Sequence, residues 1–304
     1  MQQAPLKQLL VCPNCRGKLT DTATSMACET CRSTFSIDEY IPVLVPATIS
    51  VQELETHKSQ QAEYYDSIDE EFELTRPHGL PSFYGRFLME KFRRSVNRIG
   101  NVRGLTALTV CGGSGMDAEF LARAGAEVIA SDISLGAAKR TRERSRRFGF
   151  PITSIVADIE NLPFEDKSID IVYVHDGLHH LSNPETGLAE MARVARYAVS
   201  VTEPAIAAVT QLGVKVGVAQ EIEEAGNRVE RLTPNRVEAV LRENGFTSFK
   251  SQRYLMYYRH EPGNVMKFLS TPVISDAAYW SWRAGNVLVG RFGNKMSVQA
   301  IRTP

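Results

Sequence analysis

The 304-residue sequence has no net charge: 35 lysines and arginines balance 35 aspartates and glutamates. A protein that works by phosphate neutralisation alone is thereby excluded, although a local basic patch is not. Nor is there an apolar run able to cross a bilayer. The most apolar later stretch, 197–220, is broken by Glu203, Pro204 and Lys215. The first ten residues, MQQAPLKQLL, lack a charged start, a long apolar run and a cleavage site. The expectation is a cytoplasmic protein with no secretory leader and no membrane partner. Internal repeats and low-complexity tracts are absent too. With 43% hydrophobic residues the chain can bury a sizeable core, and its length fits about two domains.

Cysteine is scarce and unevenly placed. Four of five fall in the first 31 residues, as Cys12-Pro-Asn-Cys15 and Cys28-Glu-Thr-Cys31. Each C-x-x-C turn aims two thiolates at one ion, and two such knuckles complete an S4 set that suits zinc. A redox motif would be single and would open a helix. Disulfides would require an oxidising compartment. Four protein ligands close the coordination sphere, so Cys12, Cys15, Cys28 and Cys31 are expected to hold a structural metal. The stretch LKQLLVCPNCRGKLT…ACETCRSTFSIDEYIPVLVP resembles the zinc-ribbon family of a small activator protein that partners RNA and release-factor methyltransferases. That resemblance covers residues 6–46. It implies a ribbon that docks on a methyltransferase, here on the same chain, through apolar residues such as Phe35, Ile37, Ile41, Val43 and Leu44.

Beyond Pro46 the character changes. Residues 53–73 carry eight acids and one lysine, with Tyr64, Tyr65 and Phe72 interleaved. Pro77, Gly79 and Pro81 then punctuate the chain. From Phe83 the apolar positions 83, 84, 87, 88, 92, 96 and 99 follow helical spacing. The reading is a zinc ribbon over 1–48, a linker and packing helix over 49–100, and a third domain over 101–304.

In that third part, strand and helix signals alternate. Strands are expected at 105–111, 127–131, 152–157, 169–174 and 197–202, with helices at 116–124, 135–148 and 184–196 between them. This is the pattern of a doubly wound α/β fold. The tail, 246–259 and 296–302, is strand-like without a regular crossover, so its last strand is expected to enter antiparallel. Three features fall at carboxyl ends of successive strands, where open α/β sheets bind ligands. Cys111-Gly112-Gly113-Ser114-Gly115 follows the first strand. Asp132 ends the second and is placed to accept from ribose hydroxyls. Asp158 follows the third, where it can accept from an adenine amine. The glycine loop also satisfies the dinucleotide fingerprint through Gly113, Gly115 and Ala118, which keeps a dehydrogenase open.

The stretch Asp158-x-x-x-Leu162-Pro163-Phe164 … Ser168-Ile169-Asp170-Ile171-Val172 … Leu178-His179-His180-Leu181 … Glu190-x-x-Arg193-Val194 resembles the class I S-adenosylmethionine-dependent methyltransferases. The resemblance implies a Rossmann-like seven-stranded sheet with the last strand antiparallel. It places Cys111, Gly113 and Gly115 at the methionine part of S-adenosylmethionine, Asp132 and Ile133 at the ribose, and Asp158 and Ile159 at the adenine. His175 then lies beside the sulfonium. Two positions depart from the family. Thr109 stands where an acid is usual, with Cys111 in place of the first glycine, and Arg196-Tyr197-Ala198 replaces a Pro-Gly-Gly turn.

Methyl transfer is an in-line displacement for which the protein supplies alignment and a dry pocket. A base is needed only where the acceptor must lose a proton. The candidates are His175 and His179, with Asp176, His180 and Glu203 beside them. The basic run 139–147 is compatible with RNA, as in an rRNA or tRNA base methyltransferase. Zero net charge and the aromatic-rich insertion 261–293 favour a small organic acceptor. A catalytically silent cofactor- or partner-binding module is the alternative of another class.

Overall fold

The computed structural model describes residues 8–46, 58–68, 70–78, 82–208, 210, 231–256 and 262–303. Four short strands come first: β1 (Leu19–Asp21), β2 (Ser25–Cys28), β3 (Thr34–Asp38) and β4 (Ile41–Leu44). They form an antiparallel meander. Three helices follow, α1 (Ser59–Asp66), α2 (Glu70–Thr75) and α3 (Ser82–Val96). The alternating part runs β5 (Thr106–Val110), α4 (Met116–Arg123), β6 (Glu127–Asp132), α5 (Leu135–Phe148), β7 (Ile152–Ala157), β8 (Ile169–His175), α6 (Pro184–Val194) and β9 (Ala195–Pro204). The tail adds α7 (Pro234–Glu243), β10 (Ser248–Tyr254), α8 (Asn264–Leu269), α9 (Ser275–Val289) and β11 (Lys295–Ile301).

Strands β5, β7 and β8 are buried along almost their whole length, as parallel strands covered by helices on both faces are. The sheet order is β1-β2-β3-β4-β7-β6-β5-β8-β9-β11-β10. As expected, β11 is the reversed strand, antiparallel to both β9 and β10.

The expected seven-stranded sheet is corrected to eleven strands. In a seven-stranded sheet β7 would be an edge, with a row of unpaired backbone groups. Here β4 pairs with it in parallel, Val43 opposite Val156 and Leu44 opposite Ala157, and the meander extends the sheet. A second backbone contact joins 9–11 to 163–165, with Val11 N–H donating to Pro163 at 3.0 Å. Leu10, Met26, Phe35 and Leu44 share one core with Ile155, Leu162 and Phe164. A smaller correction concerns α6, expected to reach Arg196. It stops at Val194, and β9 starts with no intervening turn. The sequence also offers 210–233, after the fifth strand of the alternating part, as a place for an acceptor pocket, and 211–230 of it lie outside the described residues.

The basic run on α5 finds its partners within the chain, two of its members buried and four exposed. Arg144 is fully buried; its Nε donates to Ser114 O and its Nη1 to Glu119. Arg140 Nε donates to Ser114 Oγ at 2.9 Å. Lys139 pairs with Asp38 and Arg142 with Glu39, both from the amino-terminal meander. Arg146 pairs with Glu143, and Arg147 with Glu71.

Candidate functional site

The two cysteine knuckles are built alike. Arg16 and Arg32, each four residues past the first cysteine of its pair, adopt positive φ of 59° and 65°. Each donates its N–H to that cysteine's carbonyl, at 2.7 and 3.1 Å. The turns bring all four Sγ atoms within 4.8 Å of one another. Cys12 and Cys31 are 3.6 Å apart, Cys15 and Cys28 3.5 Å. Neither pair is a disulfide. A tetrahedron of thiolates with ~2.3 Å metal bonds has edges of about 3.8 Å, so the donor set fits zinc. Burial pushes the Cys12 thiol up to about 12, whereas bonds from Ser33 hold Cys31 down at about 6.

At the end of β5 the chain turns through Cys111, Gly113 and Gly115, with φ of 49°, 52° and 78°. A Cβ on Gly113 would meet nothing within 4 Å, whereas one on Gly115 would strike Thr141 at 2.8 Å. Gly113 thus faces open space and Gly115 admits α5. Asp132 fastens this loop: its carboxylate accepts from Gly113 N–H at 2.8 Å and Ser134 N–H at 2.9 Å. Burial raises its pKa despite those bonds. Beneath the loop, Thr109 Oγ1 is buried with no hydrogen-bond partner, 3.1 Å from where a Cβ on Gly112 would sit. An open glycine, a half-buried carboxylate and an orphaned hydroxyl together fit the methionine and ribose ends of S-adenosylmethionine. Ile133 is half-buried beside Asp132, and Ile159 is buried beside Asp158.

Asp158 is 1% exposed and caps the turn after β7, accepting from Glu160 N–H at 3.0 Å. Its other oxygen is held by Lys58 Nζ at 2.7 Å, and Lys58 also bonds Glu160. Lys58 opens α1, which lies over this cleft. Asp66 at the far end of α1 accepts from Ser134 Oγ and Gly136 N–H, and Tyr65 Oη lies 3.3 Å from His180 Nε2.

The end of β8 carries a dense polar group. His175 Nδ1 lies 3.1 Å from Asp117 Oδ2, and Tyr173 Oη donates to Asp117 at 3.1 Å. His175 Nε2 is buried and makes no hydrogen bond; Asp176 Oδ2 lies 3.4 Å away. Asp176, at φ 55°, is flanked by Lys91 at 3.3 Å and by Lys295. Burial alone would raise the Asp176 pKa, but the two lysines hold it well below the usual carboxylate range. His179 is bound differently. Its Nδ1 is 2.7 Å from Glu203 Oε2, while Glu203 Oε1 accepts from Gly177 and Leu178 N–H. Glu203 and His179 therefore tie the loop after β8, whereas His175 is buried between Asp117 at Nδ1 and Asp176 at Nε2. Asp176, His179 and Glu203 could approach one ion. Asp176 and Glu203 already accept from protein donors and His179 is bound to Glu203, and we assign no metal there.

Sequence reasoning missed Lys58, Asp117, Lys91 and Lys295. Asp117 had a usable signal: an acid in the first turn of the helix that follows the glycine loop. The lysines had none, since only the folded chain brings α1, α3 and β11 to these carboxylates.

Residues 108–202 match the methyltransferase domain family. Demethylmenaquinone methyltransferase of Renibacterium salmoninarum is 38% identical over 104 residues, 34% of this chain and 42% of that protein. The Corynebacterium urealyticum enzyme of the same name is 32% identical over 143 residues, 47% of this chain and 58% of that one. The chain thus spans about half the length of the curated relatives it matches. Magnesium protoporphyrin IX methyltransferase from Synechocystis, solved with bound S-adenosylhomocysteine, superposes with a TM-score of 0.56 at 18% identity. That superposition covers 81% of this chain and 100% of the other. The fold is therefore that of the class I methyltransferases.

Proposed function

We propose that the chain is an S-adenosylmethionine-dependent methyltransferase of small organic acceptors, with a structural zinc ribbon fused at its amino terminus. We read three parts: ribbon 1–48, linker and packing helix 49–100, and methyltransferase domain 101–304. It works in the cytoplasm, where four thiols stay reduced for a metal. The observation that carries the reading is Asp132 bound to Gly113 at the mouth of an open glycine loop, inside the stretch that matches the methyltransferase domain family. The curated relatives act on a demethylmenaquinone by name, and this chain's acceptor is proposed to be of that class, a hydroxylated ring with an apolar tail. Arg140 and Arg144 are buried and the four exposed basic residues of 139–147 are paired with carboxylates of the chain, which weighs against an RNA face.

When bound, S-adenosylmethionine supplies a methyl carbon on positive sulfur, open to displacement. The chain's own groups do the rest. Gly113 and Gly115 let the backbone approach the methionine part, and Asp132 takes the ribose hydroxyls. His175, turned by Asp117 at Nδ1, is the proposed base for the acceptor's hydroxyl proton, in the base-and-orienter arrangement of nucleophile activation, and its buried Nε2 would exchange its approach to Asp176 for that hydroxyl. Four thiolates of the ribbon would hold zinc as a cross-link and not as a reactant. The ribbon's place on the domain is supported by the β4–β7 pairing and the two α5 ion pairs.

The test is transfer of labelled methyl from S-adenosylmethionine to a reduced demethylnaphthoquinol, with calorimetry of cofactor binding alongside. Product together with cofactor binding is the expected result. Cofactor binding without product on quinol or RNA would leave the silent module, and NAD binding in its place would point to a dehydrogenase.

A further inference from the structure

Eight of the ten large apolar side chains that are exposed among the described residues lie between Val265 and Phe292. They belong to α8, α9, the connection between them and the turn after α9. The inner side of α9 is well anchored. Trp282 packs at a tilt against Phe87 of α3, ring centroids 4.7 Å apart, and its indole N–H donates to Leu255 O at 2.9 Å. The outer side is apolar as well: Ala277, Trp280, Ala284, Val287 and Leu288 recur at helical spacing and are all exposed, Val287 at 86% and Leu288 at 76%. A helix apolar all round normally has a partner on both faces.

Each exposed aromatic of this segment has a cation at its side. Lys267 precedes Phe268, Arg283 lies 5.3 Å from the Trp280 ring, and Arg291 lies 4.6 Å from the Phe292 ring. From 264 to 293 these three cations face one acid, Asp276, which is paired with Arg86. Aromatic rings with long basic side chains beside them are the composition of interfacial helices, whose apolar face sinks below the headgroups while the cations meet lipid phosphates. We infer that the outer face of α8 and α9 binds the surface of an anionic phospholipid bilayer. A second copy of this chain would bring the same three cations face to face, so charge favours the lipid. None of the described helices is long and apolar enough to span a membrane. The expectation of no membrane partner rested on the absence of a span, and a surface contact needs none.

The site of contact has a consequence for the acceptor. Phe87, which holds α9, and Lys91, which reaches Asp176, are one turn apart on α3. The lipid face is thus one helix away from the polar end of β8. On the acceptor reading above, a substrate with an apolar tail would enter from the bilayer without crossing water.

The test is sedimentation of the full chain with phosphatidylcholine vesicles, with and without phosphatidylglycerol, at low and high salt. Neither cofactor nor acceptor is present, so failure of the methyl-transfer reading and failure of this one are separate results. Binding is expected only with phosphatidylglycerol, weakened by salt and with a blue shift of tryptophan emission. Trp280→Ser with Leu288→Ser should lower partition about tenfold. Lys267→Glu with Arg291→Glu should do so independently, should either pair of changes disturb folding. Melting temperature and S-adenosylmethionine affinity should stay unchanged in both. Absence of vesicle binding at either salt, or equal binding by both double variants, would overturn the inference. A dimer in solution that Trp280→Ser with Leu288→Ser dissociates would assign the face to a second copy.

Discussion

Lys58 Nζ lies 2.7 Å from Asp158 Oδ2, so an ammonium from the head of α1 occupies the carboxylate proposed to receive the adenine amine. Burial works against the charge on Lys58, but its bonds to Asp158 and Glu160 outweigh it and raise its pKa. An incoming amine must share or displace that bond. Lys58→Met should therefore tighten S-adenosylmethionine binding, by about tenfold or more for one charge-assisted hydrogen bond. Calorimetry on both proteins checks this, and weaker binding by the variant would place the adenine elsewhere.

Asp132 makes the opposite case. Asp132→Ala removes both the clasp on Gly113 and the proposed ribose acceptor, and should weaken the cofactor by about 1.5–3 kcal/mol. Asp117→Asn leaves the cofactor contacts alone. It should lower kcat by about 10²-fold or more with cofactor affinity nearly unchanged, because His175 loses the carboxylate that turns it. A parallel loss of cofactor binding would make Asp117 a structural residue of α4.

How much of this was legible in the sequence depends on where the determinants lie. The β5–β9 strands and α4–α6 were readable because apolar periodicity and the glycine loop are local. The four cysteines were readable from spacing alone. The eleventh-strand count was not, because whether β4 meets β7 depends on two segments more than a hundred residues apart and only two residue pairs long. The same holds for the site. Asp132 and Asp158 announce themselves as acids ending strands, whereas Lys58 and Lys295 are distant in sequence from the carboxylates they meet. The pairing of the basic run on α5 was not legible for a related reason: its partners Asp38, Glu39, Glu71 and Glu119 come from three other segments.

Asp176 joins Lys91 and Lys295 in a largely buried cluster, and its pKa is depressed by them. A depressed carboxylate contributes stability above its unfolded pKa, and that contribution disappears as pH falls through the folded value. Asp176→Asn removes the carboxylate two buried lysines share and should cost about 3 kcal/mol at neutral pH. The gap between wild type and variant should be full above roughly pH 4 and close as the pH drops further. Urea melts across that range measure it. A gap that instead widened on acidification would show that the lysines, and not the aspartate, set the balance.

Zinc and the ribbon's seat can be tested together. One zinc per chain is expected, and Cys28→Ser should release it and loosen residues 8–46 first. Removal of residues 1–46 goes further. It strips β4 from β7, leaving the edge of a buried parallel sheet unpaired, and it uncovers Ile155, Leu162 and Phe164, which pack on Leu10, Met26, Phe35 and Leu44. It also deprives Lys139 and Arg142 of Asp38 and Glu39. Exposed ion pairs of that kind are worth little, about 0–1 kcal/mol each, so the apolar surface and the open edge dominate. The 47–304 fragment should aggregate or melt several degrees lower, and added salt should change the difference only slightly, because burial is not screened as surface charges are. Since β7 leads directly into Asp158, S-adenosylmethionine affinity should fall with the melting temperature. A fragment that melts like the full chain, binds cofactor equally and has lost only a salt-sensitive affinity for RNA would show that the ribbon grips nucleic acid instead.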